Sequence, residues 1–105
     1  MFPLECFNPV QCYVLILPSE ETSQLMVFLH GLGDTAQNFT RTPVVQTTLL
    51  AMKQGTIEPA AILIPDGGRG YWYDWADGEH LYESWTLDTI DRIQKYYDLQ
   101  DVGLI

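Results

Sequence analysis

One stretch constrains this chain more than any other: Leu25-Met26-Val27-Phe28-Leu29-His30-Gly31-Leu32-Gly33-Asp34, an apolar run that stops abruptly in a glycine-flanked turn. Five apolar residues between Gln24 and His30 read as a strand buried on both faces, the pattern of an interior strand in a parallel sheet. Gly31 and Gly33 allow the backbone to turn tightly and approach a ligand, so the amides around Leu32 can point at an anion instead of at another strand. Alone, the H-G-x-G pattern also describes a strand leaving a sheet with no chemistry attached. Context has to decide between the two.

That context comes from the rest of the chain. Val10 to Leu17 is rich in β-formers and ends at Pro18-Ser19-Glu20-Glu21, a strand followed by a polar turn. Thr35 to Thr40 reads as loop, and Thr42-Pro43 as an N-cap followed by proline in the first turn of a helix. Val45, Leu49 and Met52 then recur at helical spacing, which predicts a helix from Pro43 to Gln54. Ala60 to Ile64 is a second all-apolar strand, closed by Pro65-Asp66-Gly67-Gly68. A long loop from Arg69 to Gly78 follows and carries Tyr71, Trp72, Tyr73 and Trp75, too apolar for an ordinary solvated connection. From Tyr82 to Tyr97, Trp85, Thr89, Ile93, Tyr96 and their neighbours at 100° per residue form one broad helical face, and Val102 to Ile105 begins another strand.

Composition narrows the partners. The chain has 105 residues, 47% hydrophobic and 18% charged, which describes one globular domain with a core. No stretch approaches the roughly 20 consecutive apolar residues of a membrane helix. Five Lys+Arg against 14 Asp+Glu give a net charge of -9, which argues against a nucleic-acid partner, since phosphate contact needs a basic surface. The N-terminus has no basic region and an early Glu5, unlike a signal peptide, so the expected location is cytoplasmic. Cys6 and Cys12, if joined by extended chain, lie roughly 20 Å apart, so two buried free thiols are expected, although Pro9 could fold the segment back. No cofactor and no metal is expected.

The order strand, strand, helix, strand, loop, helix, strand is an α/β pattern with a parallel core. Function in open parallel sheets sits at the carboxyl ends of strands, where both glycine-rich turns fall. Phe28 to Asp34, Ile62 to Gly68, Tyr73-Asp74-Trp75 and the helix ending in Tyr96-Tyr97 together resemble the esterase D and tributyrin-esterase-like branch of the α/β-hydrolases, which includes S-formylglutathione hydrolase. The resemblance covers nearly the whole chain and implies a single partial domain, residues 1–105. That domain is the N-terminal part of an α/β-hydrolase fold, a mostly parallel sheet with flanking helices, truncated before the nucleophile elbow.

The resemblance also implies chemistry: hydrolysis of a small acyl ester by a serine esterase through an acyl-enzyme, with the oxyanion held by the backbone amide of Leu32 and the turn shaped by Gly31 and Gly33. His30 would be structural. The family's G-x-S-x-G elbow is missing, since Ser19, Ser23 and Ser84 lack flanking glycines, so nucleophile, acid and base lie outside the chain. Self-association or a completing C-terminal polypeptide is therefore expected. Ser84, with His80 one turn before it, lacks the orienting acid and strained elbow of a catalytic pair. The alternative is a non-catalytic fragment or binding module in which Tyr71, Trp72, Tyr73, Trp75 and Trp85 hold a sugar or peptide; in the esterase the first four line the substrate site. Asp66, Asp74, Asp77 and Glu79 match no calcium-loop spacing.

Overall fold

A computed structural model describes residues 2–31, 34–67, 76 and 81–104. Among the described residues five strands, β1 (Glu5–Asn8), β2 (Gln11–Ile16), β3 (Gln24–Val27), β4 (Ala61–Pro65) and β5 (Asp101–Leu104), form one sheet in the order β1-β2-β4-β3-β5. Three helices among the described residues accompany them: α1 (Ala36–Phe39), α2 (Pro43–Lys53) and α3 (Tyr82–Tyr97). Among the described residues no helix is long and apolar enough to cross a membrane.

Alternating side chains divide the sheet into two faces. Tyr13, Leu25, Val27, Ala61 and Leu63 pack with Ile93 of α3 and Leu99 on one side. Val14, Ile16, Ile62 and Ile64 pack with Phe28, Ala36 and Val45 on the other, where Phe39, Leu49 and Met52 add to the cluster. All five residues of β4 are buried because both faces are covered, as its unbroken apolar sequence predicts. Each fully buried aliphatic side chain contributes on the order of 1.5–3 kcal/mol, so this two-faced core is the main source of stability.

The sheet is not the mostly parallel one expected for the N-terminal part of an α/β-hydrolase. It is a small mixed sheet: β1/β2 and β2/β4 are antiparallel, and only β4/β3 and β3/β5 are parallel. Burial on both faces was the reason for expecting parallel strands, yet β2 is covered on both faces and runs antiparallel to β4. An apolar run reports how a strand is covered, not which way its neighbour runs.

Two elements differ from the sequence pattern. The side-chain oxygen of Asn8 accepts from the amides of Val10 and Gln11 at 3.0 and 2.9 Å, folding the chain back at Pro9 so that β1 pairs with β2. This puts Cys6 directly opposite Cys12, 4.0 Å apart at Cα, and the two form a disulfide instead of the expected free thiols. The extended-chain assumption behind that expectation fails at the Asn8-Pro9 turn. The second element is α1, inside the segment read as loop, where Thr35 Oγ1 caps the helix by accepting from the Asn38 amide at 3.1 Å.

The two long helices agree with their sequence patterns. Pro43 opens α2, and Gly55 follows it at φ +76°, a left-handed conformation suited to glycine. Thr42 takes the N-cap position, but its hydroxyl donates to the Phe39 carbonyl at 2.8 Å instead of capping α2. Along α3, Thr89 and Ile93 are buried as the helical face requires, whereas Tyr96 is 81% exposed and does not belong to the core.

Candidate active site

The carboxyl ends of β3 and β4 lie side by side because the two strands are parallel neighbours, with the Phe28 amide donating to the Leu63 carbonyl at 3.0 Å just past β3. The turns leaving them therefore meet, and His30 ties them together. It is 3% exposed. Its Nδ1 contacts the Gly31 carbonyl at 2.8 Å, and its Nε2 accepts from the Gly67 amide at 2.9 Å. These partners assign the neutral ring: Nδ1–H donates to Gly31, and Nε2 carries the lone pair.

Asp66 completes the arrangement. Its Oδ1 accepts from the Ala36 amide at 3.0 Å, at the start of α1, and stands 3.4 Å from His30 Nε2. Its own amide donates to the Cys12 carbonyl at 2.9 Å, which fixes it to β2. Burial favours the neutral imidazole, but the Asp66 carboxylate and the Gly31 carbonyl outweigh it, so the His30 pKa is raised above the ordinary 6.5. The His30 imidazolium, the form present where a carboxyl titrates, holds the Asp66 carboxyl below the ordinary 3.8 against its burial, helped by the Ala36 amide. Protonation of the ring would exchange the Gly67 bond for one from Nε2–H to Asp66.

The turn itself is closed by the Asp34 amide donating to the Gly31 carbonyl at 3.1 Å. Its two central residues, Leu32 and Gly33, lie outside the described residues, so the predicted oxyanion amide has no described geometry. Gly31 is exposed, and a Cβ built there would meet no atom of the described residues within 4 Å. It lies outside the left-handed region, so neither strain nor internal packing calls for glycine; the open space above it does suit close approach of a ligand.

Tyr71, Trp72, Tyr73 and Trp75 also lie outside the described residues, as do His80, Asp74, Asp77 and Glu79. Ser84 is exposed in the first turn of α3. Of the acids considered for calcium, Asp66 is described, and it is engaged with His30 and Ala36. Its bracing role was missed because it depends on a distant partner; the one local sign was an acid placed directly after a buried strand, where an ordinary turn also places one.

No protein-family profile matches the sequence, and no curated protein does. Among solved structures the chain is similar to a ferulic acid esterase, at 17% identity and a TM-score of 0.68. The match covers 99% of this chain and 48% of the other, so the chain spans about half the length of that enzyme. The likeness is one of fold: it supports an esterase-like architecture and does not reach the narrower esterase D branch.

Proposed function

We propose that this chain supplies the oxyanion turn of a carboxylic-ester hydrolase. The observation that carries the reading is the braced turn at the carboxyl end of β3, in a chain whose fold is shared with a ferulic acid esterase. The Leu32 amide donates to the oxygen that becomes negative when a serine attacks the ester carbonyl, and the acyl-enzyme is then hydrolysed. Gly31, with open space above it, lets the ester approach the backbone. His30 acts as a structural brace, because both its ring nitrogens are engaged with the two turns. Nucleophile, acid and base come from outside residues 1–105, and Tyr71, Trp72, Tyr73 and Trp75 contact the acyl group. An aromatic acyl group such as ferulic acid suits such a lining.

The Cys6–Cys12 disulfide supports action in an oxidising compartment in preference to the cytoplasm expected from the sequence.

The test is hydrolysis of methyl ferulate and p-nitrophenyl acetate by the chain alone and by the product of its whole coding transcript with any adjoining reading frame. The reading requires no turnover from the chain alone, and turnover together with active-serine labelling by a fluorophosphonate from the longer product. A longer product that is folded, unlabelled and inactive on both esters would refute it.

A further inference from the structure

We propose that the cleft between β1 and the C-terminal half of α3 is a binding site for a neutral sugar chain, separate from the His30–Asp66 site. The cleft has a volume of about 630 Å³, within the usual range for small-molecule sites. Four aromatic rings line it as two contacting pairs, Phe7 with Tyr13 tilted at 4.9 Å between centroids and Tyr96 with Tyr97 edge-to-face at 4.8 Å. Tyr96 is the most exposed of the large hydrophobic residues described, and an outward ring beside a cleft gives the fold little while offering a flat face to a ligand. Three of the four rings carry hydroxyls.

Charge selects among ligand classes. Arg92 and Lys95 line the cleft, but each is paired on its own helix, with Asp88 at 2.8 Å and Asp91 at 3.0 Å. Among the described residues of the lining no unpaired cation is left for a phosphate, sulfate or uronate, and Glu5 in the lining together with the net charge of -9 opposes an anion. A lipid tail or apolar peptide would leave this charged rim without hydrogen-bond partners. A neutral pyranose ring satisfies both parts of the lining: its C–H face stacks on tyrosine, and its hydroxyls pair with Glu5, Arg92, Lys95 and the tyrosyl hydroxyls.

The cleft is also held in shape. The Cys6–Cys12 disulfide fixes β1, and with it Phe7, against β2. The side chain of Gln11 donates to Asp88 at 2.8 Å and ties the other wall to the same hairpin. Arg92 covers Phe7, with the guanidinium carbon 5.3 Å from the ring centre. Walls ordered in advance lower the entropic cost of binding.

The experiment titrates the intact chain with cellohexaose, xylohexaose and mannohexaose, followed by amide chemical shifts. Saturable shifts confined to Glu5–Tyr13 and Arg92–Tyr97 are expected with at least one of them. Tyr96→Ala should weaken binding about tenfold, the scale of one lost ring contact, and dithiothreitol should weaken it as well. Because Tyr96 is exposed, that variant folds, which circular dichroism confirms. Absence of saturable shifts with all three sugars, binding unchanged in Tyr96→Ala, or tighter binding of oligogalacturonate would each overturn the proposal.

Discussion

The backbone amide of Gly67 donates to His30 Nε2 over 2.9 Å, joining the turn after β4 to the turn after β3. The imidazole is buried, so its loss leaves a cavity and strands the Gly67 amide. His30→Ala should therefore cost roughly 2–4 kcal/mol. Asp66→Ala removes the acceptor for the Ala36 amide and should cost less, roughly 1–2 kcal/mol. Urea unfolding of both variants checks the order, and a His30→Ala protein as stable as the parent would show that the ring braces nothing.

The same pair makes stability depend on pH. His30, with its pKa raised on folding, contributes stability that is full below 6.5 and is lost as pH rises through the folded value. Asp66, with its pKa lowered, contributes stability that is full above 3.8 and is lost as pH falls through the folded value. The pair should thus support the fold best between these two limits. Imidazole proton shifts followed against pH should place His30 above 6.5, and Asp66→Asn should bring it down. A His30 that titrates below 6.5 in the parent would contradict the coupling.

Local patterns carried much of this architecture. The spacing of Val45, Leu49 and Met52 and the stripe through Thr89 and Ile93 were enough to locate α2 and α3, and the unbroken runs through Leu25 and Ile62 marked β3 and β4. Strand β1 escaped because its residues are mostly exposed and show no alternation. Strand direction escaped because burial carries no sign of polarity. His30 was legible as structural, but Asp66 and Gly67 become its partners only when β4 lies beside β3, a tertiary relation that no local window contains. The oxyanion amide and the aromatic loop rest on sequence alone, since Leu32 and Tyr71 to Trp75 lie outside the described residues.

Removing the disulfide should loosen the hairpin without unfolding the core, since β1 is an edge strand that lies outside both buried clusters. Closing a loop this short contributes about 2 kcal/mol in the chain-entropy account. A Cys6→Ser, Cys12→Ser double variant should melt several degrees lower and lose amide protection first in Glu5–Asn8. Rapid labelling of both thiols in the native, unreduced protein would show that the bond is absent.

Among the described residues strand β5 ends the sheet order, pairing with β3 on one side only. Val102 there is 43% exposed, and an open, mostly apolar groove of about 500 Å³ along Met26, Phe28 and Val44 adds uncovered surface. Free strand edges recruit other strands, and apolar patches drive association. Sedimentation velocity of the isolated chain should show self-association at tens of micromolar, reduced in a Val102→Lys, Gly103→Pro variant. A parent that stays monomeric throughout would contradict this.

Ester hydrolysis by the proposed mechanism depends on one backbone donor, and kcat of the catalytically complete protein tests that dependence most directly. Leu32→Ala keeps the amide and should leave kcat nearly unchanged. Leu32→Pro removes the amide and should lower kcat about 100- to 1000-fold, with folding verified by the native His30 imidazole resonance. A folded Leu32→Pro enzyme with the parent's kcat would show that this turn does not hold the oxyanion.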